Sequence, residues 1–520
     1  MTKKLQKIKF NFLSSGRYLL GLISIVITTF VLLPLIGLLR EGILGIILGE
    51  LELGYEGLNQ IKGTFLLVIY TGLIGGLIGT ANGWLLANCK FKGRKFLRIA
   101  QLIPLAIPAY LLAATLIDLG SINSIRIYGL FWASIIMALT TYPYVFLLST
   151  ESFAVCGKRQ LEACRSLGIG PWSSFRKVAL PIALPAIGAG IALLAMEVIN
   201  ELGAVQLLNV PSISAGIVEN WVANGNPSGA IALALIGLTI VMSLVAYEKI
   251  LRRRSRRWTE GINNGGDDCK WELKGYRALL AQLITGIPPA MAIGIPLCWA
   301  ISNIELIHKG LDIELLVITL RSLSLGIAAA FIAVVSSLFL TISNRWNQNR
   351  LMKSLNFLSG IGYAIPGAIF ALGLFSFAGS PWKMPAIVLL LWGYSDRFLA
   401  VSKGGLDASS ERLSPSLDEA ASGLGYSWFE VLKKVHLPLL KGPITVGALL
   451  VFVDTLKELP LSFTLRPFDF DTLSVRIFQY AGDERLGEAL VPCLIIIILG
   501  LIASLSLIPS LEYKKSKAKI

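Results

Sequence analysis

Four acidic residues stand where acids are expensive. Glu197 and Glu201 are four residues apart, as are Asp454 and Glu458, and each pair falls in a strongly apolar stretch. That spacing predicts one shared helix face per pair, and ionisable groups in such stretches are by default candidates for function. Carboxylate oxygens suit hard cations, a trivalent metal ion among them. In a helix starting near Ala183, Glu197 lies ~21 Å and Glu201 ~27 Å along the axis, in the outer half or at its mouth. The structural alternative is a pairing with Lys457 or helix ends, or a place in water at the rim.

A second constellation is duplicated. Glu162-Ala163-Cys164 and Glu419-Ala420-Ala421 each open the pattern E-A-[CA]-x3-G-x9-V-x-L-P, which closes at Pro181 and Pro438. The pattern reads as a short surface helix beginning near the Glu, with Gly168 or Gly425 as a break that lets the chain turn. An amphipathic piece follows, and the Pro starts the next helix, where its missing N–H is harmless. Arg176, Lys177, Lys433 and Lys434 keep the segment out of lipid, while Trp172, Phe175, Val178, Trp428, Phe429, Val431 and Leu432 need cover. A cytoplasmic partner surface supplies it; the plainer alternative is a helix lying on the bilayer. Two copies at matched positions argue for a two-fold partner.

Other reactive chemistry is sparse. Cys89, Cys156, Cys164, Cys269, Cys298 and Cys493 form no C-x-x-C pair, and His308 and His436 are far apart. This predicts neither a zinc site nor a disulfide framework. Glu305, Asp312 and Glu314 beside His308 read as an exposed polar loop, and Cys164 as a small packed residue. No G-x4-G-K-[ST] run occurs, so the chain lacks that route to cradling nucleotide phosphates.

The elements that must hold these residues follow from composition. Only 15% of the 520 residues are charged, against ~25% in soluble domains, while 54% are apolar and 50 are Gly. A water-soluble enzyme, a disordered chain and a disulfide scaffold are all excluded; an all-α polytopic membrane protein is indicated. Windows of ~20 apolar residues fall at about 18–40, 63–88, 97–118, 129–150, 183–205, 229–249, 279–301, 315–342, 355–377, 384–402, 441–460 and 487–510, about twelve spans in all. Asp396 and Arg397 cut into the tenth. The first reads as a retained helix, since Arg40-Glu41 and not a small-residue cleavage site follows it. Gly72, Gly75, Gly76 and Gly79 in the second predict close helix packing.

Most of the 47 Lys and Arg fall in alternate connections when both termini are placed in the cytoplasm, with the densest run at Arg252 to Arg257. The net charge of +15 thus reads as a skirt facing anionic lipid and not as a nucleic-acid site.

Self-comparison divides the chain in two. An offset of 257 residues pairs Leu167 with Leu424, Gly168 with Gly425, Pro181 with Pro438, Glu197 with Asp454 and Glu201 with Glu458. An offset of 258 pairs Ala106-Ile107-Pro108 with Ala364-Ile365-Pro366. Six spans per half return the chain to its starting side, so the repeats are parallel. The expected organisation is a first six-helix repeat at 1–257, a cytoplasmic linker at 258–277 and a second six-helix repeat at 278–520.

The duplicated pattern resembles the E-A-A-x3-G-x9-I-x-L-P signature loop of permease subunits in bacterial ATP-binding-cassette importers. Cys164, Val178 and Val435 are its conservative departures. Lys457-Glu458-Leu459-Pro460, Leu465-Arg466-Pro467-Phe468-Asp469-Phe470-Asp471-Thr472-Leu473 and Gln479-Tyr480-Ala481 look like the ferric-iron permeases with two fused halves. The resemblance covers essentially the whole chain and is strongest from about 419 to 490. It implies the type I importer permease fold in an inner (plasma) membrane. It also implies a transport subunit, not an enzyme, which binds no cofactor itself while a separate ATPase subunit, present in two copies, uses ATP. Glu162, Ala163, Gly168, Glu419, Ala420 and Gly425 would couple to that ATPase, and a soluble extracytoplasmic binding protein would deliver the substrate. Glu197, Glu201, Asp454 and Glu458 would line its path, and Arg466, Arg476 and Arg485 would meet acids on the binding protein. Thiamine or a polyamine is the alternative cargo; an ion-driven carrier or channel without an ATPase is the alternative class.

Overall fold

The structure is a computed structural model, and it describes residues 2–155, 164, 166–259, 271–310, 312–347, 349–378 and 384–506. Among these, eight helices are long and apolar enough to cross a membrane, or up to ten if each of two bent pairs counts as one span. The long helices run from Gly16–Leu48 to Trp428–Leu456. The tenth and twelfth apolar segments form the helices Ala386–Ser410 and Leu486–Ser506. Several large apolar side chains on these helices are exposed, as at Leu22, Phe65, Leu77 and Phe331. Against lipid tails such exposure would carry no penalty.

The third and ninth apolar segments differ from expectation. Each is bent, by 90° between Arg94–Ala106 and Ala109–Ile122 and by 114° between Arg350–Ala364 and Gly367–Ala378. The breaks fall on the duplicated Ala-Ile-Pro. A proline disfavours the α conformation of the residue before it, and Ile107 (ψ 116) and Ile365 (ψ 126) are extended accordingly. Hydropathy averaged over a window does not register that restriction.

The described residues fall into two compact units, each drawing on both repeats: those within 2–49, 316–474 and 505–506 in one, and those within 50–315 and 475–504 in the other. In the former, Gly37 on the first helix meets the Gly373 carbonyl and Phe377, a close approach only a residue without Cβ permits. In the latter, helix Tyr276–Ser302 receives Gln101 Nε2 on the Thr285 carbonyl at 2.6 Å and donates Trp299 Nε1 to Asp118 at 2.7 Å. Gly79 lies against the backbone of Tyr142 and Phe146, and Gly72 and Gly76 lie beside Ile191, so the glycines of the second span do serve packing.

One joint recurs in each unit. The Ile213 amide donates to Thr64 Oγ1 at 2.8 Å, and the Leu473 amide donates to Ser322 Oγ at 2.9 Å. Thr64 and Ser322 are 258 residues apart, so the duplication visible in sequence survives as shared hydrogen bonding.

Candidate functional site: two connecting loops and the acids beyond the helix ends

In the second repeat the duplicated pattern begins within helix Ser416–Gly423, where Glu419 and Ala420 are exposed and Ala421 is buried. Gly425 has φ +86, and the Tyr426 amide returns to the Ala421 carbonyl at 3.2 Å. That six-to-one bond around a left-handed glycine satisfies carbonyls at a helix end. Ser427 and Glu430 then form a capping box on helix Trp428–Val431. A π turn, Leu432–His436, leads into Leu437–Leu456. The amphipathic piece and the next span are therefore one helical run, Trp428–Leu456, and Pro438 lies inside it instead of starting it. The π turn accommodates the carbonyl that proline leaves without a donor.

Glu162 and Ala163 lie outside the described residues. The described residues of the first copy repeat the glycine turn and the π turn of the second: Gly168 has φ +71, the Ile169 amide bonds the Cys164 carbonyl at 2.8 Å, and a π turn at Phe175–Ala179 leads into Leu180–Asn200. Cys164 is buried, as a small packed residue should be. No atom comes within 4 Å of a Cβ placed on either glycine, so backbone conformation, not space, demands glycine at both.

Both loops present apolar side chains at matched positions. Leu167 is 76% exposed and Leu424 77%; Trp172 is 70% exposed and Phe429 55%. Trp428, by contrast, is seated against Gly16.

Sequence reasoning passed over the groups that hold the second loop. Asp418, one residue before the pattern, takes Arg345 Nε on Oδ2 at 2.7 Å and His436 Nε2 on Oδ1 at 2.6 Å. Burial pushes the Asp418 carboxyl up, but the hydrogen bonds and charges of His436 and Arg345 outweigh it and hold the group below its ordinary value. Arg345 also donates to the Ser410, Leu413 and Ser414 carbonyls. The available signal was a histidine inside the repeated pattern eighteen residues after an aspartate, which is legible only once the turn between them is known.

The four acids lie at helix ends. Helix Leu180–Asn200 stops before Glu201, and Leu437–Leu456 stops before Glu458, so the members of each pair do not share one continuous helix. Both outer members cap the short helix that follows. Glu201 accepts from the Ala204 amide at 3.0 Å, and Glu458 accepts from the Leu461 and Ser462 amides at 3.0 and 3.1 Å. Glu458 is buried and paired with Arg397 Nη1 at 2.6 Å. Asp454 meets Lys457 at 2.8 Å, and Glu197 accepts from the Tyr144 hydroxyl at 3.0 Å. Arg466 pairs with Asp471, Arg476 with Glu314 and Arg485 with Glu488. Among the described residues no three His, Cys, Asp or Glu side chains gather as a metal-holding group.

Comparison with known proteins agrees with this geometry. Residues 79–257 and 342–508 each match the family described as binding-protein-dependent transport system inner membrane component. The chain is 26% identical over 442 residues to the Fe(3+)-transport system permease protein FbpB 2 of Haemophilus influenzae, covering 82% of this chain and 85% of that one. Shorter likenesses reach the sulfate transport system permease protein CysT of Salmonella typhimurium, at 32% over 28% of this chain and 56% of the relative. They also reach the molybdenum transport system permease protein ModB of Escherichia coli, at 27% over 34% and 86%. With the family matched once in each repeat, the chain belongs to the inner membrane components of binding-protein-dependent transport systems, as a permease subunit of an ATP-binding-cassette importer with two fused halves.

Proposed function

We propose that the chain translocates ferric iron, delivered by an extracytoplasmic binding protein and driven by two copies of an ATPase subunit that alone binds ATP. The observation that carries the ATPase reading is the paired display of Leu167 with Trp172 and Leu424 with Phe429 beside left-handed glycines. Two loops with the same turn and the same uncovered side chains suit two copies of one partner. The coupling contacts are Glu162, Ala163 and Gly168 in one loop and Glu419, Ala420 and Gly425 in the other. Charge asymmetry supports placing both loops and both termini in the cytoplasm.

Iron is favoured over an oxyanion because the likeness to FbpB 2 spans most of both chains, whereas those to CysT and ModB cover about a third of this one. Glu197, Glu201, Asp454 and Glu458 supply the oxygen-rich surroundings that a hard cation prefers. Arg466, Arg476 and Arg485 are the proposed contacts to acids of the binding protein, which would exchange with Asp471, Glu314 and Glu488. Uptake of radiolabelled ferric iron by cells carrying the complete transporter tests the cargo. Iron-dependent accumulation that excess sulfate, molybdate, thiamine and polyamine leave unchanged is expected; displacement by one of these assigns that cargo instead.

A further inference from the structure

The two loops are built on different joints. In the second repeat three helical pieces meet on one carboxylate. Arg345 comes from the end of Ile313–Trp346, Asp418 from Ser416–Gly423, and His436 from the π turn below Leu437–Leu456. Arg345 spends its Nη1 and Nη2 on three further carbonyls, and His436 is fully buried, with its ring 5.8 Å from that of Trp346. Such a joint is directional: each donor has one acceptor geometry, and losing one partner strands a largely buried charge.

At the matched positions the first repeat carries different side chains. The same offsets place Ala87, Leu161 and Ala179 where Arg345, Asp418 and His436 stand. Among its described residues, aromatic rings pack where the π turn begins. Phe175 lies 5.1 Å from Trp84, 5.5 Å from Trp172 and 6.0 Å from Phe153, centroid to centroid. Ring contacts are less directional than charged hydrogen bonds and persist through small rotations.

We propose that Arg345 and His436 are positioning residues for the second ATPase-coupling loop, acting through Asp418. The loop of the first repeat is positioned by packing around Phe175, so one loop is a fixed-angle lever and the other a compliant one. This rests on the ATPase reading given above, and it adds that the two loops contribute unequally to coupling.

The test uses the whole transporter, with permease, ATPase and binding protein, reconstituted in liposomes. Substrate moved per ATP hydrolysed is the readout, since a merely structural defect lowers both rates together. D418A and H436F are each expected to lower that ratio about tenfold, and the double variant no further, as one coupled network requires. H436Q, whose amide nitrogen can replace Nε2, is expected to restore most of it. If D418A assembles poorly, R345K serves: it keeps the charge but cannot reach all four acceptors, and a lowered ratio is again expected. A normal ratio in assembled D418A or R345K, or losses that simply add in the double variant, overturns the inference alone. Failure of the unmutated chain to bind any ATPase overturns the proposed function together with this inference.

Discussion

Glu458 and Arg397 form a buried ion pair at 2.6 Å, and Gly367 is what makes room for it. A Cβ on Gly367 would lie 2.5 Å from Arg397 Nη1 and 2.7 Å from Glu458 Oε1. The first repeat carries Ala109 and Glu201 at the positions of Gly367 and Glu458. The missing side chain therefore belongs with the ion pair and not with the fold as such. Removing Arg397 strands a buried carboxylate, a loss of about 3–5 kcal/mol. Thermal unfolding in detergent should rank R397M and G367A well below the unmutated chain, with R397M/E458Q less damaged than R397M alone. An additive double variant would show that the pair does not act as a unit.

Gly168 and Gly425 are needed for their positive φ, not for space. G425A should cost about 1 kcal/mol or more of loop stability and lower ATPase stimulation by the binding protein. G423A, at an uncrowded helical position, is the matched control and should leave both unchanged. Equal effects of the two substitutions would refute the backbone argument.

Asp418 gives a pH dependence with a definite sign. Its folded-state carboxyl is held below the ordinary 3.8, so its contribution is present above that value and is lost as pH falls through the lowered folded one. The destabilisation caused by D418N should therefore be largest at about pH 5 and above, and should shrink below about pH 4. Unfolding midpoints measured across this range check it; a D418N penalty that grows on acidification contradicts it.

Leu167 and Leu424 make no contribution to the buried core. L167D and L424D should leave the unfolding free energy within about 0.5 kcal/mol of the original yet weaken ATPase association, as read by co-purification. A stability loss matching the association loss would mean that the two leucines belong to the fold.

Much of this was legible in the sequence, and the exceptions share a cause. Apolar windows located the helices because lipid demands long apolar runs, and the repeated glycines announced the turns. The bends at Pro108 and Pro366 were missed because hydropathy averages across a break that only the conformation before proline reveals. The grouping of the first helix with the second repeat depends on close contacts such as Gly37 with Gly373, which carry no signal at long sequence separation. Asp418, His436 and Arg345 were overlooked for the same reason. Each is ordinary alone, and their chemistry exists only after the Gly425 turn brings them together. Glu201 and Glu458 were found as expensive acids, but their service as caps depends on where the helices stop.

The most direct test of the account places single cysteines at 167 and 424 and cross-links each to the ATPase subunit in the assembled transporter, with and without ATP. Both positions should cross-link, and the yield should change with nucleotide. Absence of cross-links at both positions, together with substrate transport by vesicles devoid of nucleotide, would contradict it.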